Sequence, residues 1–225
     1  MNLMQKMPTN LNDVRSAWRI ANNYPVHTAA AFNVAKKNTE TDFYIFDVIG
    51  LFDGEAEAFV KEVASTDGPI NLHINSPGGF VWDALAMYDA LVTSSNKVHV
   101  KINGIAASAA SFIAMAGDTR QISEAGRVMI HDAQGIAIGN PADIREYADL
   151  VVSLSDDIAG IYETRTGTAA KAWRSAMNKT TWYNAGQAVD SKLVDSVAKN
   201  NVDKGPDNRT KLIQARMKVL TREGK

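Results

Sequence analysis

Three short segments of the chain carry residue types that could perform chemistry, and each follows a predicted strand. Ser76-Pro-Gly-Gly79 places paired glycines after the alternating strand predicted over Ile70–Asn75. Ser108 follows the strand over Lys97–Ile102 and a turn at Gly104, and His131 ends the strand over Arg127–Ile130. A serine hydroxyl becomes a nucleophile when a nearby base removes its proton, and histidine is the commonest base in that role. Because sites in parallel sheets gather at the carboxyl ends of strands, the three segments are predicted to converge on one site.

Each segment also has an ordinary structural interpretation. Ser108 could simply cap the buried apolar helix that is predicted within Gly104–Gly117, and Ser76–Gly79 could be a plain turn between strand and helix. Ser111, one turn beyond Ser108, is interpreted as a small packing residue. The functional interpretation adds that the N–H of Ala109, at the start of the helix, is free to donate to a negative charge.

The elements that must position these segments are predicted from hydrophobic periodicity. From Asp42 onward, strands alternate with helices, which predicts an α/β fold of βαβ units with a mostly parallel sheet. In the helix over Val81–Thr93 the candidate buried residues are Trp82, Leu85, Ala86 and Leu91. The chain divides into an N-terminal arm or leader (1–40), one folded domain (41–198), and a polar linker with a basic tail (199–225).

Asn140-Pro141 opens the longest predicted helix, because asparagine is a favoured N-cap and proline a favoured first residue. Its apolar residues recur at three- and four-residue spacing: Ile144, Tyr147, Val151, Leu154, Ile158 and Ile161. At about 1.5 Å per residue the helix would reach nearly 40 Å. That length suggests packing against another subunit, although a helix wholly within its own domain fits the pattern equally well.

Composition excludes several classes of function. The formal net charge of -1 gives no electrostatic case for binding nucleic acid or an anionic membrane. The absence of cysteine excludes disulfides and thiol catalysis, and the four histidines form no metal-ligand motif, so no metal or cofactor is expected. His27, His73 and His99 are interpreted as structural. The N-terminus lacks an apolar signal core, which favours a cytoplasmic protein.

Together these motifs resemble those of the ClpP-type serine peptidases. The resemblance rests on Ile74-Asn-Ser-Pro-Gly-Gly79, Gly104-Ile-Ala-Ala-Ser108 and Arg127-Val-Met-Ile-His131, which occur in that family's order and close to its spacing. Ala185–Asp195 is similar to the family's closing segment. Within the family, Ala-Ala-Ser-Ala-Ala-Ser and Thr-Trp-Tyr are most similar to the phage-encoded branch that matures virus heads.

The resemblance implies a role for each candidate residue. Ser108 would be the nucleophile and His131 the general base, while the backbone N–H groups of Gly79 and Ala109 would form the oxyanion hole, with Gly78 beside it. It also implies a ClpP/crotonase-like fold that assembles into face-to-face rings, commonly heptameric. The long helix, about Pro141–Arg165, would be the handle that joins the rings.

One position departs from the family pattern. The family places an acidic residue shortly before the Trp-Tyr pair to orient the histidine, and Thr180 occupies that place here. Thr180 or Asn178 could still accept from the imidazole N–H, whereas Asp132 should point to the other face of the strand. Since loss of the orienting acid can cost orders of magnitude in rate, weak or conditional activity is one expectation.

Four functions are therefore open. The leading one is a serine endopeptidase that cleaves phage capsid or scaffold proteins during head maturation. The others are general proteolysis with a separate AAA+ unfoldase, a catalytically weakened shell or assembly protein, and an acyl-CoA enzyme of the related crotonase fold. The last is disfavoured by the match of Ser108 and His131 to the peptidase motifs. The basic tail could contact a capsid partner, substrate or nucleic acid, or simply be solvated.

Overall fold

A computed structural model describes residues 32–37 and 39–198. The strands are β1 (Phe32–Lys36), β2 (Thr41–Ile45), β3 (Ile70–Ser76), β4 (Val98–Ala107), β5 (Thr119–Ile122), β6 (Arg127–Ile130), β7 (Thr181–Asn184) and β8 (Ser196–Val197). The helices are α1 (Glu55–Ala64), α2 (Val81–Thr93), α3 (Ala109–Ile113), α4 (Pro141–Thr166), α5 (Ala170–Asn178) and α6 (Ala185–Asp190), with a 3-10 turn at Ala114–Ala116 after α3.

The strands form one mostly parallel sheet. Its order is β1-β2-β3-β4-β5-β8, and β6 pairs with β4 and with β7. The pairs β1–β2 and β6–β7 are antiparallel, and the others are parallel. This confirms the predicted α/β fold. The sequence predicts no element at β1, which lies inside the proposed arm and pairs with β2 along its whole length.

The core follows from the alternation of apolar residues along the central strands. In β3, Ile70, Leu72 and Ile74 are fully buried, while Asn71 and His73 face the more exposed side. Helix α2 has the predicted bounds but buries Ala84, Met87 and Leu91. Trp82, which the sequence predicts as buried, is 48% exposed, because it lies about 200° around the helix from Ala84 and so on the face opposite the buried one.

The apolar run Gly104–Gly117 confirms the predicted start of a helix at Ser108 but not the predicted glycine turn before it. Strand β4 continues to Ala107, pairing first with β5 and then, beyond Ile102, with β6. A strand replaces the turn because the backbone groups of a buried segment must all find partners, and the neighbouring strands supply them. Helix α3 begins directly after Ser108, as predicted, and continues into the 3-10 turn at Ala114–Ala116.

Helix α4 matches the predicted long helix closely. Asn140 caps it with a reciprocal capping box, and it ends at Gly167, whose φ of 75° suits glycine. Its buried residues all lie in its second half: Leu154, Ser155, Ile158, Ala159, Tyr162 and Thr166. Of the predicted stripe, only Leu154 and Ile158 are buried, and Ile144 is 45% exposed. The first half thus buries no side chain against the part of the chain that the structure describes.

Two predictions on the termini lie outside the described residues: the arm or leader over residues 1–31, and the linker and tail over 199–225. Among the residues that are described, no helix is both long and apolar enough to cross a bilayer.

Candidate active site

Ser108 and His131 meet at the carboxyl ends of two neighbouring strands. Ser108 follows β4 and His131 follows β6, and these strands pair in parallel with Ala107 opposite Met129. The backbone N–H of Ser108 donates to the carbonyl of Met129 at 2.9 Å, which ties the two strand ends together. Nε2 of His131 lies 2.7 Å from Oγ of Ser108. That distance allows the serine hydroxyl to donate directly to an unprotonated Nε2.

Ser108 adopts a backbone conformation that is rare for residues with a side chain. Its φ is 53° and its ψ is -125°, at the junction between strand and helix. Such a conformation costs on the order of 1–3 kcal/mol and persists only where the surroundings support it. Here the Ser108 carbonyl accepts from the N–H of Ser111 at 2.9 Å and also from the Ser111 hydroxyl. The strain is therefore balanced by local hydrogen bonds.

Ser111 does more than pack. Its fully buried hydroxyl also lies 2.7 Å from the Tyr162 hydroxyl of α4. The sequence prediction of a small packing residue missed this link. Only the hydroxyl of Ser111 could have indicated it, because nothing in the sequence shows that Tyr162 would face α3.

Gly78 packs directly against the backbone of the serine. Its φ is 97°, and an added Cβ would lie 2.7 Å from the Ala107 carbonyl oxygen and from the Ser108 Cβ, and 2.8 Å from the Ala109 nitrogen. No side chain fits in that space. The predicted glycine turn and the predicted serine are thus in contact, as the sequence expectation of convergence requires.

Gly79 is held by a short parallel bridge to Ile49. The bridge uses the carbonyl of Gly78 and the N–H of Phe80, at 2.8 and 2.9 Å from Ile49 backbone atoms. It therefore leaves the N–H of Gly79 out of the pairing with Ile49. The N–H of Ala109 is the first amide of α3 and has no acceptor within its helix.

The electrostatics of His131 favour its neutral form. Burial lowers the pKa of His131 from its ordinary value of 6.5, and the negative charge of Asp132 opposes that shift. Asp132 itself faces away from the imidazole. It pairs with Arg174 and accepts from the amide of Asn178 at 3.3 Å, so its partners lie on α5 although β6 ends before His131.

The third member of the site remains a prediction. Thr180 lies just before β7 in an exposed position, with φ of 51°. Within residues 32–37 and 39–198, neither Thr180 nor Asn178 forms a hydrogen bond with His131. The same residues hold no group of three or more His, Asp or Glu side chains arranged to bind a metal ion.

The other described histidines lie away from this pair. His73 stacks on Tyr44 at 4.7 Å between ring centroids, and its Nδ1 lies 3.2 Å from the Asn103 side chain. Nδ1 of His99 lies 2.8 Å from the Thr119 hydroxyl. Both histidines therefore have side-chain partners on the sheet, in line with their structural interpretation.

Comparison with known proteins identifies the family. The sequence model of the Clp protease family matches residues 56–201. The chain is 33% identical over 153 residues to the ATP-dependent Clp protease proteolytic subunit 2 of Parasynechococcus marenigrum, covering 67% of this chain and 76% of that protein. It is 36% identical over 129 residues to the ATP-dependent Clp protease proteolytic subunit of Pleurastrum terricola, covering 56% and 66%.

The match runs from the first turn of α1 to beyond β8 and so includes β3, β4 and β6, whose ends carry the candidate site. The segments that carry Gly78, Ser108 and His131, and the long helix α4, all lie inside it. The chain belongs to the Clp protease family.

Proposed function

We propose that this chain is a serine peptidase of the Clp type, in which Ser108 is the nucleophile and His131 the general base. The observation that carries the proposal is the 2.7 Å contact between Ser108 Oγ and His131 Nε2. The strained backbone of Ser108 and the lowered pKa of His131 support it, because both are features of sites built for reaction.

The geometry suggests a two-step mechanism. Ser108 Oγ attacks the carbonyl carbon of a peptide bond while its proton passes to Nε2 of His131. The N–H groups of Gly79 and Ala109 stabilise the oxyanion, and Gly78 leaves room beside them. His131 returns the proton to the leaving amine, and a water molecule then hydrolyses the ester on Ser108 with His131 again as the base. The strip from Ser76 to Gly79 could pair with an extended substrate.

Assembly through α4 is part of the proposal. The first half of this helix has no fully buried residue in the described chain and exposes Ile144 and Val152, as a surface that joins copies would. We therefore expect rings, commonly of seven copies, joined face to face by α4 over Pro141–Arg165, with a polypeptide as the substrate.

Two biological settings differ in the partner. Head maturation, with phage capsid or scaffold proteins as substrates, rests on the similarity of Ala106–Ser111 and Thr181–Tyr183 to the phage branch. General proteolysis with an AAA+ unfoldase is favoured by the relatives, which are named as subunits of ATP-dependent proteases. Either setting is expected in the cytoplasm or, for a phage protein, in the procapsid. Neighbouring portal and capsid genes would support the first, and copurification of an AAA+ ATPase the second.

A non-enzymatic role in a shell is the second candidate. It is favoured by the exposed Thr180, which replaces an acid and makes no hydrogen bond to His131 within the described chain. Rings in mass photometry, combined with no cleavage of casein and no reaction of Ser108, would support that role.

Labelling with a fluorophosphonate probe tests the proposed peptidase. Wild type should be labelled at Ser108, Ser108→Ala should lose all labelling, and His131→Ala should lose about a thousandfold in rate or more. Ser65→Ala is the matched control, because its hydroxyl only caps α1 by donating to the carbonyl of Glu62. Labelling that persists in Ser108→Ala would overturn the assignment. Native mass on the same samples reports the assembly.

A further inference from the structure

Two buried polar side chains of α4 hold the backbone on either side of the candidate site. The first is Tyr162, which is 1% exposed and whose hydroxyl lies 2.7 Å from Oγ of Ser111. Because a carbonyl only accepts, the Ser111 hydroxyl must donate to the carbonyl of Ser108. Ser111 has no second proton, so Tyr162 is the donor in its contact with Ser111. The chain of bonds therefore runs from α4 through Ser111 to Ser108.

The second is Ser155, which is also 1% exposed. Its hydroxyl accepts from the N–H of Ala133 at 3.0 Å and donates to the carbonyl of Val151 at 2.9 Å. Ala133 lies two residues after His131, at the start of the extended segment that leads to α4. Ser155 and Tyr162 are seven residues apart, or about 10.5 Å along one face of a helix. One rigid element thus contacts both strand ends.

We propose that Tyr162, acting through Ser111, and Ser155 are positioning residues for Ser108, Ala109 and His131. This inference rests on the proposed peptidase function. The carbonyl of Ser108 and the N–H of Ala109 belong to the same planar peptide unit, so fixing the carbonyl also fixes the direction of that N–H. Ser111 and Tyr162 therefore orient a donor of the proposed oxyanion hole, although neither touches the substrate.

The Ser155 contact acts on the base instead. Its bond to Ala133 anchors the chain just beyond His131, where β6 has ended and the sheet no longer holds the backbone. Without this anchor, the imidazole would be free to move away from Ser108 and toward solvent. The Tyr162–Ser111 contact, called the first limb, and the Ser155–Ala133 contact, called the second limb, should consequently affect the labelling kinetics differently.

Kinetics of fluorophosphonate labelling at saturating and subsaturating probe test the first limb. Tyr162→Phe keeps the ring and removes only the hydroxyl, and it should lower the maximal labelling rate about five- to tenfold with unchanged probe affinity. Ser111→Ala should lower that rate about a hundredfold, as expected when an oxyanion donor is misplaced. The double variant should be no slower than Ser111→Ala, because Tyr162 acts only through Ser111.

Thr166→Val is the matched control for these variants. Thr166 is a buried hydroxyl of the same helix, and it bonds to Trp173 Nε1 at 3.0 Å and to the Tyr162 carbonyl at 2.7 Å, but not to the site. The Thr166→Val variant should lower thermal stability as much as Tyr162→Phe does, while the labelling rate of its native protein stays unchanged. A Tyr162→Phe rate equal to that of wild type, or an equal loss in Thr166→Val, would overturn the first limb.

The second limb is tested by the pH dependence of labelling. Ser155→Ala should lower the maximal rate and move the midpoint of the profile to higher pH, because a His131 that reaches solvent loses the burial that lowers its pKa. Asp132, the charged group that acts on His131, is unchanged in this variant. Tyr162→Phe should leave the midpoint in place. An unmoved midpoint and rate in Ser155→Ala would overturn this limb.

The outcomes separate this inference from the proposed function. If wild type is not labelled at Ser108, the peptidase assignment fails, and the positioning roles fail with it. If wild type is labelled at Ser108 and the variants of α4 react at its rate, only the positioning roles are overturned.

Discussion

The two members of the Ser108–His131 pair are supported very differently. On the serine side, Gly78 packs against the backbone, Met129 holds the N–H, and Ser111 holds the carbonyl with two donors. On the histidine side, Nε2 meets Ser108, but no partner of the other ring nitrogen lies within the described residues. The strained residue is thus the well-supported one, whereas His131 is held by its Nε2 contact and by the backbone anchor at Ala133.

This difference indicates which of the two residues limits the reaction rate. A strained nucleophile keeps its place only if several contacts oppose relaxation, and those contacts are present. A general base also needs the correct tautomer and ring orientation, which a carboxylate normally supplies. We therefore expect Ser108 to be ready for attack and the rate to depend on how well His131 is held.

The serine side should be the more fragile to substitution. Gly78→Ala must place a Cβ 2.7 Å from the Ala107 oxygen and the Ser108 Cβ, at a φ of 97°, so the nucleophile has to shift. A displacement of about 1 Å costs roughly a hundredfold in rate, so labelling should fall by that factor or more. Labelling rate and thermal denaturation on the same sample measure both effects.

Gly54→Ala is the matched control for that substitution. Gly54 has a similar left-handed φ of 75°, but nothing lies within 4 Å of an added Cβ. It should therefore cost only about 1–2 kcal/mol of backbone strain and leave the labelling rate unchanged. Equal loss of activity in the two variants would show that backbone strain in general, and not contact with Ser108, explains the effect.

On the histidine side, a substitution should be able to raise the labelling rate. Thr180→Asp introduces a carboxylate at the position that the resemblance assigns to the orienting acid, and φ of 51° suits aspartate better than threonine. If the carboxylate reaches His131, it should raise the pKa of the imidazole and speed labelling about tenfold, a fraction of what an orienting acid contributes in a mature triad. The pH profile of labelling measures both changes.

Thr180→Asn separates charge from shape in that experiment. Asparagine has the size of aspartate and also tolerates a positive φ, but it carries no charge. An aspartate variant that labels no faster than the asparagine variant would show that position 180 does not orient His131. The third member would then have to be sought elsewhere.

Much of this architecture could be predicted from the sequence because it depends on local patterns. The alternation in Ile70–Asn75 and the Asn140 cap each specify an element without knowledge of its neighbours, and the structure confirms both. The convergence of the glycine turn, Ser108 and His131 follows from strand ends sharing an edge.

The failures of prediction involve contacts between distant segments. Gly104–Ala107 is predicted as a glycine turn, but it is a strand because it pairs on both sides, with β3 through Ala106 and with β6. The bond from Tyr162 to Ser111 joins residues 51 positions apart, and no local pattern specifies that rotation of α4 about its axis. The strand at β1 was missed because edge strands carry a weak apolar pattern.

The charge of Asp132, next to His131, provides the most selective test, and its expected effect is the smallest. His131 must be neutral to accept the serine proton, so the labelling rate should rise with pH to a plateau, with a midpoint below 6.5 because burial lowers the pKa of His131. Asp132 opposes that shift, so Asp132→Asn should move the midpoint to still lower pH and leave the plateau unchanged. Asp156→Asn removes the other carboxylate that binds Arg174 and should leave the midpoint in place. Equal shifts in the two variants would mean that Arg174 acts on the base, and no shift in either would mean that His131 does not set the pH profile.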